Sequence, residues 1–476
     1  MYFNSLVFLL FSSVFFPVYL LIKDKKKKIL FLFFSSLLFY GFFNIFYLPL
    51  IFFVSSVNYF FALKIHNAEN QKKKKTFYIS AVFVNLLVLF LFKYLNFFST
   101  TFNGIFSFFG LSVSLPFFEF ILPAGISFYI FLNISYIIEV HRKTIIPESN
   151  FFRYSAFATF WPVVMAGPIL RARNFLVQFN KKRTFSWEIF YQAFFLISIG
   201  FFKKVFIADN LSSYVSRVYD SSIPVTFSNA WSVAYAYTLQ IYFDFSGYSD
   251  IAIGCALIMG FKIPDNFNFP YASSGFTEFW KRWHISLSSF IRDYLFLPFS
   301  YSGFRKFKSL FIAYGYASIL TMFLAGLWHG ASWNFVLWGM FHGIALTIER
   351  GMKLMKIKHK SKIYSIFKRI IFFNLLSLSW VLFRNEIPKA LKMYSIMFGF
   401  SSSDAIDILG NTFMYGIILI TISVLIIQYF LADKNLIPFF NKSKYLRIQY
   451  AALLIIIWVL VIAAGGTGEP FIYFKF

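Results

Sequence analysis

Cysteine is all but missing from this 476-residue chain. Cys255 stands alone beside Gly254, so an intramolecular disulfide is impossible and cysteine metal cages are excluded. A lone thiol next to a glycine reads most simply as a small packing residue. Charge is scarce as well: Asp, Glu, Lys and Arg make up 13% of the residues, about half the share of a soluble domain. Acidic groups are the scarcer sign, 19 against 45 basic ones, which leaves a formal charge of +26. That total suits a nucleic-acid binder, but its distribution excludes one. The lysines lie in short clusters between apolar runs, the pattern of loops held on the cytoplasmic side of a membrane. A soluble domain, a low-complexity tail and an internal repeat are all lacking.

What is present is apolar. Hydrophobic residues make up 59% of the chain and aromatic ones 24%, and mean hydropathy is +0.67. The chain therefore reads as an all-α polytopic membrane protein whose core is set by bilayer thickness. The 74 phenylalanines and the abundant lysine reflect compositional bias as much as function.

The first apolar run, Leu6 to Ile22, is followed rather than preceded by its basic cluster, Lys23 to Lys28, and shows no small-residue cleavage site. It is expected to be an uncleaved span with the N-terminus outside and the lysines inside. Residues 29–65 hold two spans and return to Lys72–Lys75, and a fourth runs from Phe77 to Phe98. A fifth begins near Phe117, contains Pro123-Ala124-Gly125 and ends at His141-Arg142-Lys143. Residues 151–170 break the alternation. Trp161-Pro162 and Ala166-Gly167-Pro168 interrupt a run with Arg142 and Lys143 before it and Arg171, Arg173, Lys181, Lys182 and Arg183 after it. The reading is a re-entrant segment, since irregular backbone survives at membrane depth only when buried in protein or lining a cavity.

A sixth span covers Trp187 to Ala208, where Lys203-Lys204 must snorkel or face a wet interior. The seventh, Trp231 to Gly260, carries Gln240, Tyr242, Asp244, Ser246, Tyr248, Ser249 and Asp250. Gln240 and Asp244 share a helix face, and Asp244 needs a partner or water. Thr277 to Leu297 places Trp280, Trp283, Leu287, Ile291, Tyr294 and Leu295 in one stripe, with Lys281, Arg282 and Arg292 mostly off it. That is an interfacial amphipathic helix. Two apolar runs, Ser309–Ala325 and Phe335–Ile348, form a hairpin, and Ile366–Phe383, Phe413–Leu431 and Tyr450–Ala464 follow. The alternation predicts about twelve spans, with both termini outside.

Six histidines are present. His66, His141 and His359 sit in basic loops and read as solvated. His329 falls at the joint of the hairpin, in Gly326-Leu327-Trp328-His329-Gly330-Ala331-Ser332-Trp333-Asn334. Polar groups at membrane depth are costly and mark sites by default, and a neutral imidazole is the cheapest acid/base group to keep there. By position alone His329 is either the base of an acyl transfer or a histidine that only hydrogen-bonds a neighbouring helix. No histidine pair has helical zinc spacing and no carboxylate flanks His329 or His284, so no metal is expected. No Gly-x-Ser-x-Gly elbow accompanies a histidine either. Acyl transfer would then run directly from donor to acceptor hydroxyl, with a histidine taking the proton. It also needs oxyanion donors, for which Asn334, Trp328 and Trp333 are candidates, and a dry cavity. His284 is placed to orient the donor or share the proton work. His342, near the inner end of its span, fits aromatic packing or a structural hydrogen bond.

These stretches resemble the membrane-bound O-acyltransferase (MBOAT) family, closest to its alginate and peptidoglycan O-acetyltransferase branch. The matching blocks are Leu122 to Phe128, Ala166-Gly167-Pro168-Ile169, Gln240 to Asp250, Phe279-Trp280-Lys281-Arg282-Trp283-His284-Ile285-Ser286-Leu287-Ser288, Gly326 to Asn334, and Phe471-Ile472-Tyr473-Phe474. Ala-Gly-Pro alone is weak. The Trp-His-Ile-Ser-Leu and Leu-Trp-His-Gly blocks together are specific. The resemblance implies a ring of about twelve transmembrane helices, with re-entrant and interfacial helices, around a central tunnel from a cytoplasmic donor to an external acceptor. It implies one membrane-embedded domain: N-terminal spans in 1–110, a catalytic core in 120–350 and C-terminal spans in 363–476. His329 becomes the catalytic histidine and His284 a second one along the path. Trp328, Asn334, Gln240, Tyr242, Asp244 and Trp283 become the substrate-binding candidates.

The donor implied is acetyl-CoA or another cytoplasmic acyl thioester, with no bound cofactor. The acceptor is an extracytoplasmic glycan, completed by a separate serine-hydrolase-like (SGNH) acetyltransferase partner outside a bacterial inner membrane. D-alanyl transfer to teichoic acid, from a carrier-protein thioester, is the competing activity because that branch shares both histidine blocks. From another class, a polysaccharide flippase would also use polar groups in spans, although paired halves with matching broken helices are not seen.

Overall fold

The computed structural model describes residues 1–181, 186–220, 225–355, 361–400, 410–432, 444–465 and 470–472. Lys182, Arg183, His359, Tyr473 and Phe474, which enter the reading above, lie outside the described residues. Within them the chain is helical, with no strand. It folds as two compact units, Met1–Ile197 with Asp250–Pro264, and Ser198–Ser249 with Asp265–Ile472. These units cut across the 1–110, 120–350 and 363–476 segments read from the sequence.

The first unit contains α1 (Leu6–Leu21), α2 (Lys25–Gly41), α3 (Leu48–His66), α4 (Gln71–Leu89), α5 (Leu95–Phe108), α6 (Ile126–His141), α7 (Phe151–Ala158), α8 (Ala172–Phe175) and most of α9 (Trp187–Phe201). Several starts follow from local side chains. Ser5, Asp24, Asn70 and Asn150 each accept a hydrogen bond from a backbone N–H in the first turn of α1, α2, α4 and α7, the usual way to satisfy those orphan donors. After α7 the backbone leaves the helix, yet nearly all of residues 154–170 are buried. Trp161 packs among Phe3, Phe8, Phe11, Phe15 and Phe39 at ring separations of 5.3–6.3 Å. Non-helical backbone enclosed by protein is what the proline-broken run predicts.

The fifth span starts later than expected. Residues 111–125 are not helical, and α6 begins only at Ile126. Pro116 and Pro123 each lack an N–H and disfavour helix in the residue before them, so hydropathy carried on where the backbone could not.

The second unit contains α10 (Asp209–Tyr219), α11 (Phe227–Ile258, up to Ser249), α12 (Phe276–Arg282), α13 (Ile285–Ile291), α14 (Leu297–Phe307), α15 (Leu310–His329), α16 (Trp333–Leu354), α17 (Lys362–Arg384), α18 (Ile387–Met397), α19 (Gly410–Leu431) and α20 (Lys444–Ala463). The expected hairpin is α15 and α16, and its arms touch backbone to backbone. A Cβ on Gly326 would lie 2.2 Å from the Phe335 carbonyl oxygen, and one on Gly339 2.1 Å from that of Met322. Small residues allow such an approach between helices in lipid, where packing rather than water drives association. The interfacial helix is not continuous. It breaks between α12 and α13, because His284 takes the left-handed conformation (φ 44°).

Six helical stretches among the described residues are long and apolar enough to cross a membrane: Ile45–His66, Gln71–Phe108, Trp187–Tyr219, Leu310–His329, Lys362–Arg384 and Met414–Leu431. Shorter apolar helices are Leu6–Leu21, Ile126–His141 and Tyr450–Ala463. Large side chains such as Leu6, Leu10, Val14 and Leu21 of α1 and Leu419, Ile426 and Phe430 of α19 stand exposed. Apolar surface on that scale belongs against lipid. The protein is a multi-pass membrane protein.

Candidate active site

The site lies within the second unit and is built from the hairpin joint, the α12–α13 break, α11 and the end of α17. α15 ends at His329, and the chain turns through residues 330–332 before Trp333 opens α16. The last turn of a helix leaves carbonyls without intrahelical partners, so this position sits at the polar end of an apolar rod. His329 is only 7% exposed. Its ring is walled edge-on by Trp328 at 5.0 Å, Trp338 at 5.1 Å and Phe383 at 5.4 Å.

His284 is held differently. Its Nδ1 lies 3.0 Å from Asn266 Oδ1, and that oxygen also accepts from the Ser286 backbone N–H at 3.3 Å and the Ser286 hydroxyl at 2.8 Å. A backbone N–H can only donate, so the Asn266 atom is the oxygen. It follows that His284 Nδ1 carries the proton and Nε2 is the basic nitrogen. Asn266 Nδ2 in turn donates to Ser249 Oγ at 3.2 Å. His284 is 1% exposed, and burial pushes its imidazole down to about 3. The Trp328 ring, 6.2 Å from His284 and 5.0 Å from His329, touches both imidazoles.

The other candidates divide. Trp283 is boxed by Phe279, Phe267 and Trp380 at 5.0–5.4 Å, with Tyr242 at 6.4 Å. Gln240 is buried, and its Oε1 meets no donor among the described residues. Asn334 donates to the carbonyls of Leu382 and Phe383 at 3.3 and 3.4 Å, tying the start of α16 to the end of α17. Trp333 is 47% exposed. His342 accepts from the Trp280 indole N–H at 3.3 Å and packs against Trp338 at 4.6 Å.

Asp244 faces an ion pair. Its Oδ1 lies 2.7 Å from Lys204 Nζ, and its Oδ2 accepts from the Ile472 N–H at 2.8 Å. Lys204 was expected to snorkel or reach water and does neither. It is 1% exposed and pairs with Asp209 as well, at 2.8 Å. The reason is a π-helical stretch, Phe202–Ala208, which rotates the lysine inward in a way that 3.6-residue periodicity does not show.

Asn266, Trp338 and Trp380 escape a reading by motif. Asn266 sits in a loop that looks like an ordinary linker. The Trp338 and Trp380 indole N–H groups are buried with no acceptor among the described residues, and Trp338 is the wall of the His329 cage. The spacing Trp338-x-x-x-His342 was the available signal for the first of these. Among the described residues no group of three or more His, Cys, Asp or Glu side chains could hold a metal ion.

A cavity of about 310 Å³ lies between the α12–α13 segment and α15. Thr277, Trp280, Ser288, Ser318 and Thr321 are among its lining residues, together with Lys281 and Arg292. The buried hydroxyls of Ser318 and Thr321 have no hydrogen-bond partner among the described residues. Trp280, which lines this space, has its ring 6.0 Å from Trp338.

Fold and site together define a polytopic helical membrane protein that encloses two histidines in aromatic surroundings. The model of the membrane-bound O-acyltransferase family matches residues 36–384, and the chain belongs to that family; it is an O-acyltransferase. A protein of Azotobacter vinelandii named as a probable alginate O-acetylase is 41% identical over 84% of this chain and 78% of its own length. A peptidoglycan O-acetyltransferase of Helicobacter pylori is 33% identical over 98% of this chain and 96% of its own. A teichoic acid D-alanyltransferase of Bacillus subtilis is 30% identical over 50% of this chain and 61% of its own.

Proposed function

We propose that this O-acyltransferase moves an acetyl group from a cytoplasmic thioester, acetyl-CoA or an acyl carrier, to hydroxyls of a polysaccharide on the outer side of a bacterial cytoplasmic membrane, with the N-terminus outside. The observation that carries the reading is His329: a buried imidazole at a helix end, caged by three aromatic rings at the joint of the α15–α16 hairpin. In this reading His329 takes the proton of the acceptor hydroxyl as it attacks the thioester carbonyl, and as the C–S bond breaks it returns that proton to the departing sulfur, which leaves as the free thiol. The Trp338 and Trp380 N–H groups are suited to the developing oxyanion. His284, with its proton pinned on Nδ1, orients the donor or relays the proton through Nε2.

Lys281 and Arg292 fit the phosphates of a coenzyme at the cavity, while Ser318 and Thr321 fit the amides of its arm. Acetyl is preferred to D-alanyl because the acetylase relatives align over most of both chains, whereas the D-alanyltransferase aligns over half of this one. A separate SGNH-type partner completes the transfer outside. The test is purified protein in nanodiscs with labelled acetyl-CoA and candidate glycans. His329→Ala should lower ester formation by about 10²–10⁴-fold in protein that still folds. Transfer that survives the substitution ends the assignment of the base, and glycan transport without ester formation favours a flippase.

A further inference from the structure

α11 carries three adjoining stripes with three different duties, and they connect the segment Pro470–Ile472 to His284. Successive residues on a helix turn by about 100°, so residues four apart share a face. Asp244 and Tyr248 form the first stripe. Asp244 Oδ2 accepts from the Ile472 N–H at 2.8 Å, and the Tyr248 ring meets Phe471 edge-on at 5.0 Å. Phe245 and Ser249 form the second. The Phe245 ring stands edge-on to the His284 imidazole at 4.7 Å, and Ser249 Oγ holds Asn266, which holds His284 Nδ1.

Gly247 forms the third stripe. A Cβ there would lie 2.8 Å from the Gly200 carbonyl oxygen and 3.2 Å from the Lys204 nitrogen. The bare backbone is what lets the π-helical stretch bring Lys204 against α11. The Lys204 ammonium has three donors and three oxygens around it: Asp244 Oδ1 at 2.7 Å, Asp209 Oδ1 at 2.8 Å and the Pro470 carbonyl at 3.3 Å. The Phe471 ring covers the same ammonium at 4.5 Å.

We propose that Pro470–Ile472 is a latch whose attachment to the Lys204–Asp209–Asp244 cluster sets the rotation of α11 and thereby the position of His284. Asp244 and Lys204 are positioning residues in this account, and none of them touches substrate. The inference rests on the acyl-transfer reading only for its effect on rate. Its effect on His284 is independent of that reading.

The test uses the full chain with Phe471→Ala and Ile472→Pro together, which detaches the latch while leaving Lys204 with both carboxylates. Labelling of histidines by diethylpyrocarbonate is mapped by mass spectrometry well below the melting temperature, with exposed His66 as the reference. Labelling of His284 should rise about tenfold at unchanged His66 labelling. In the transferase assay kcat should fall between tenfold and about a hundredfold, the usual effect of a small misplacement, with the donor KM unchanged. Asp244→Asn keeps the acceptor for Ile472 and should give a smaller rise, and Ile472→Pro alone serves if the double variant does not fold. A latch that only adds stability would lower the melting temperature and leave His284 labelling at the wild-type rate, and that result overturns the proposal. Increased His284 labelling in a protein with no transferase activity supports the latch and removes the acyl-transfer reading instead.

Discussion

Two buried polar centres of the second unit stay in an apolar interior by opposite means. Around Lys204 the protein keeps formal charges and cancels them, with carboxylates at 2.7 and 2.8 Å. Around His329 it gathers aromatic rings instead, three of them at 5.0–5.4 Å. A cancelled charge is committed to its partners and unsuited to chemistry. An imidazole walled by rings is not tied up by counter-charges in that way. The difference sets Asp244, whose two oxygens engage Lys204 and the Ile472 N–H, apart from the histidine at the hairpin joint, the better candidate for reaction.

The comparison is most exposed to substitution at its charged end. Lys204→Met strands two carboxylates and should cost about 3–5 kcal/mol, read as a large fall in melting temperature in nanodiscs. His329→Phe exchanges one ring for another inside the cage and should cost less than about 1.5 kcal/mol. Equal losses would show that the two centres are not distinct. Next in size, Gly339→Ala pushes a methyl group into the Met322 carbonyl. The overpacking should cost about 1–3 kcal/mol and lower activity by splaying the hairpin away from the cage.

The effect of pH is the most gradual, being spread over several units. The His284 imidazole is pushed by burial from 6.5 to about 3, so it is neutral in both states above 6.5 and its environment then contributes fully to stability. As pH falls from 6.5 toward 3 the unfolded chain takes up a proton that the folded one refuses, and stability declines. Asn266→Ala removes the acceptor of His284 Nδ1 and should alter that slope. A decline identical to that of the His284→Ala variant would show that His284 is not its source.

Much of this was legible in the order of residues. The hairpin, the joint histidine and the long polar-faced helix α11 follow from hydropathy and spacing, because each depends on residues near one another in the chain. The rest depends on partners far apart or on local backbone. Lys204 and Asp244 are forty residues distant, and a π-helical stretch turns the one toward the other. The break at His284 interrupts a stripe whose periodicity continues across it, since side chains keep their apolar rhythm even where φ changes sign. Asn266 lies in a Pro/Asn-rich loop and becomes central only through three hydrogen bonds to its carboxamide oxygen. Trp338 and Trp380 were hidden by abundance: one tryptophan among so many aromatic rings carries no mark of its role.

The backbone contact between α15 and α16 has a mechanical consequence. With Gly326, Gly339 and Gly343 against the facing backbone, the two rods are in direct main-chain contact there, and a pair packed so closely moves as one body. Any movement that opens the site must then come from the other walls: the broken pair α12–α13, and the end of α17 that Asn334 fastens to the hairpin.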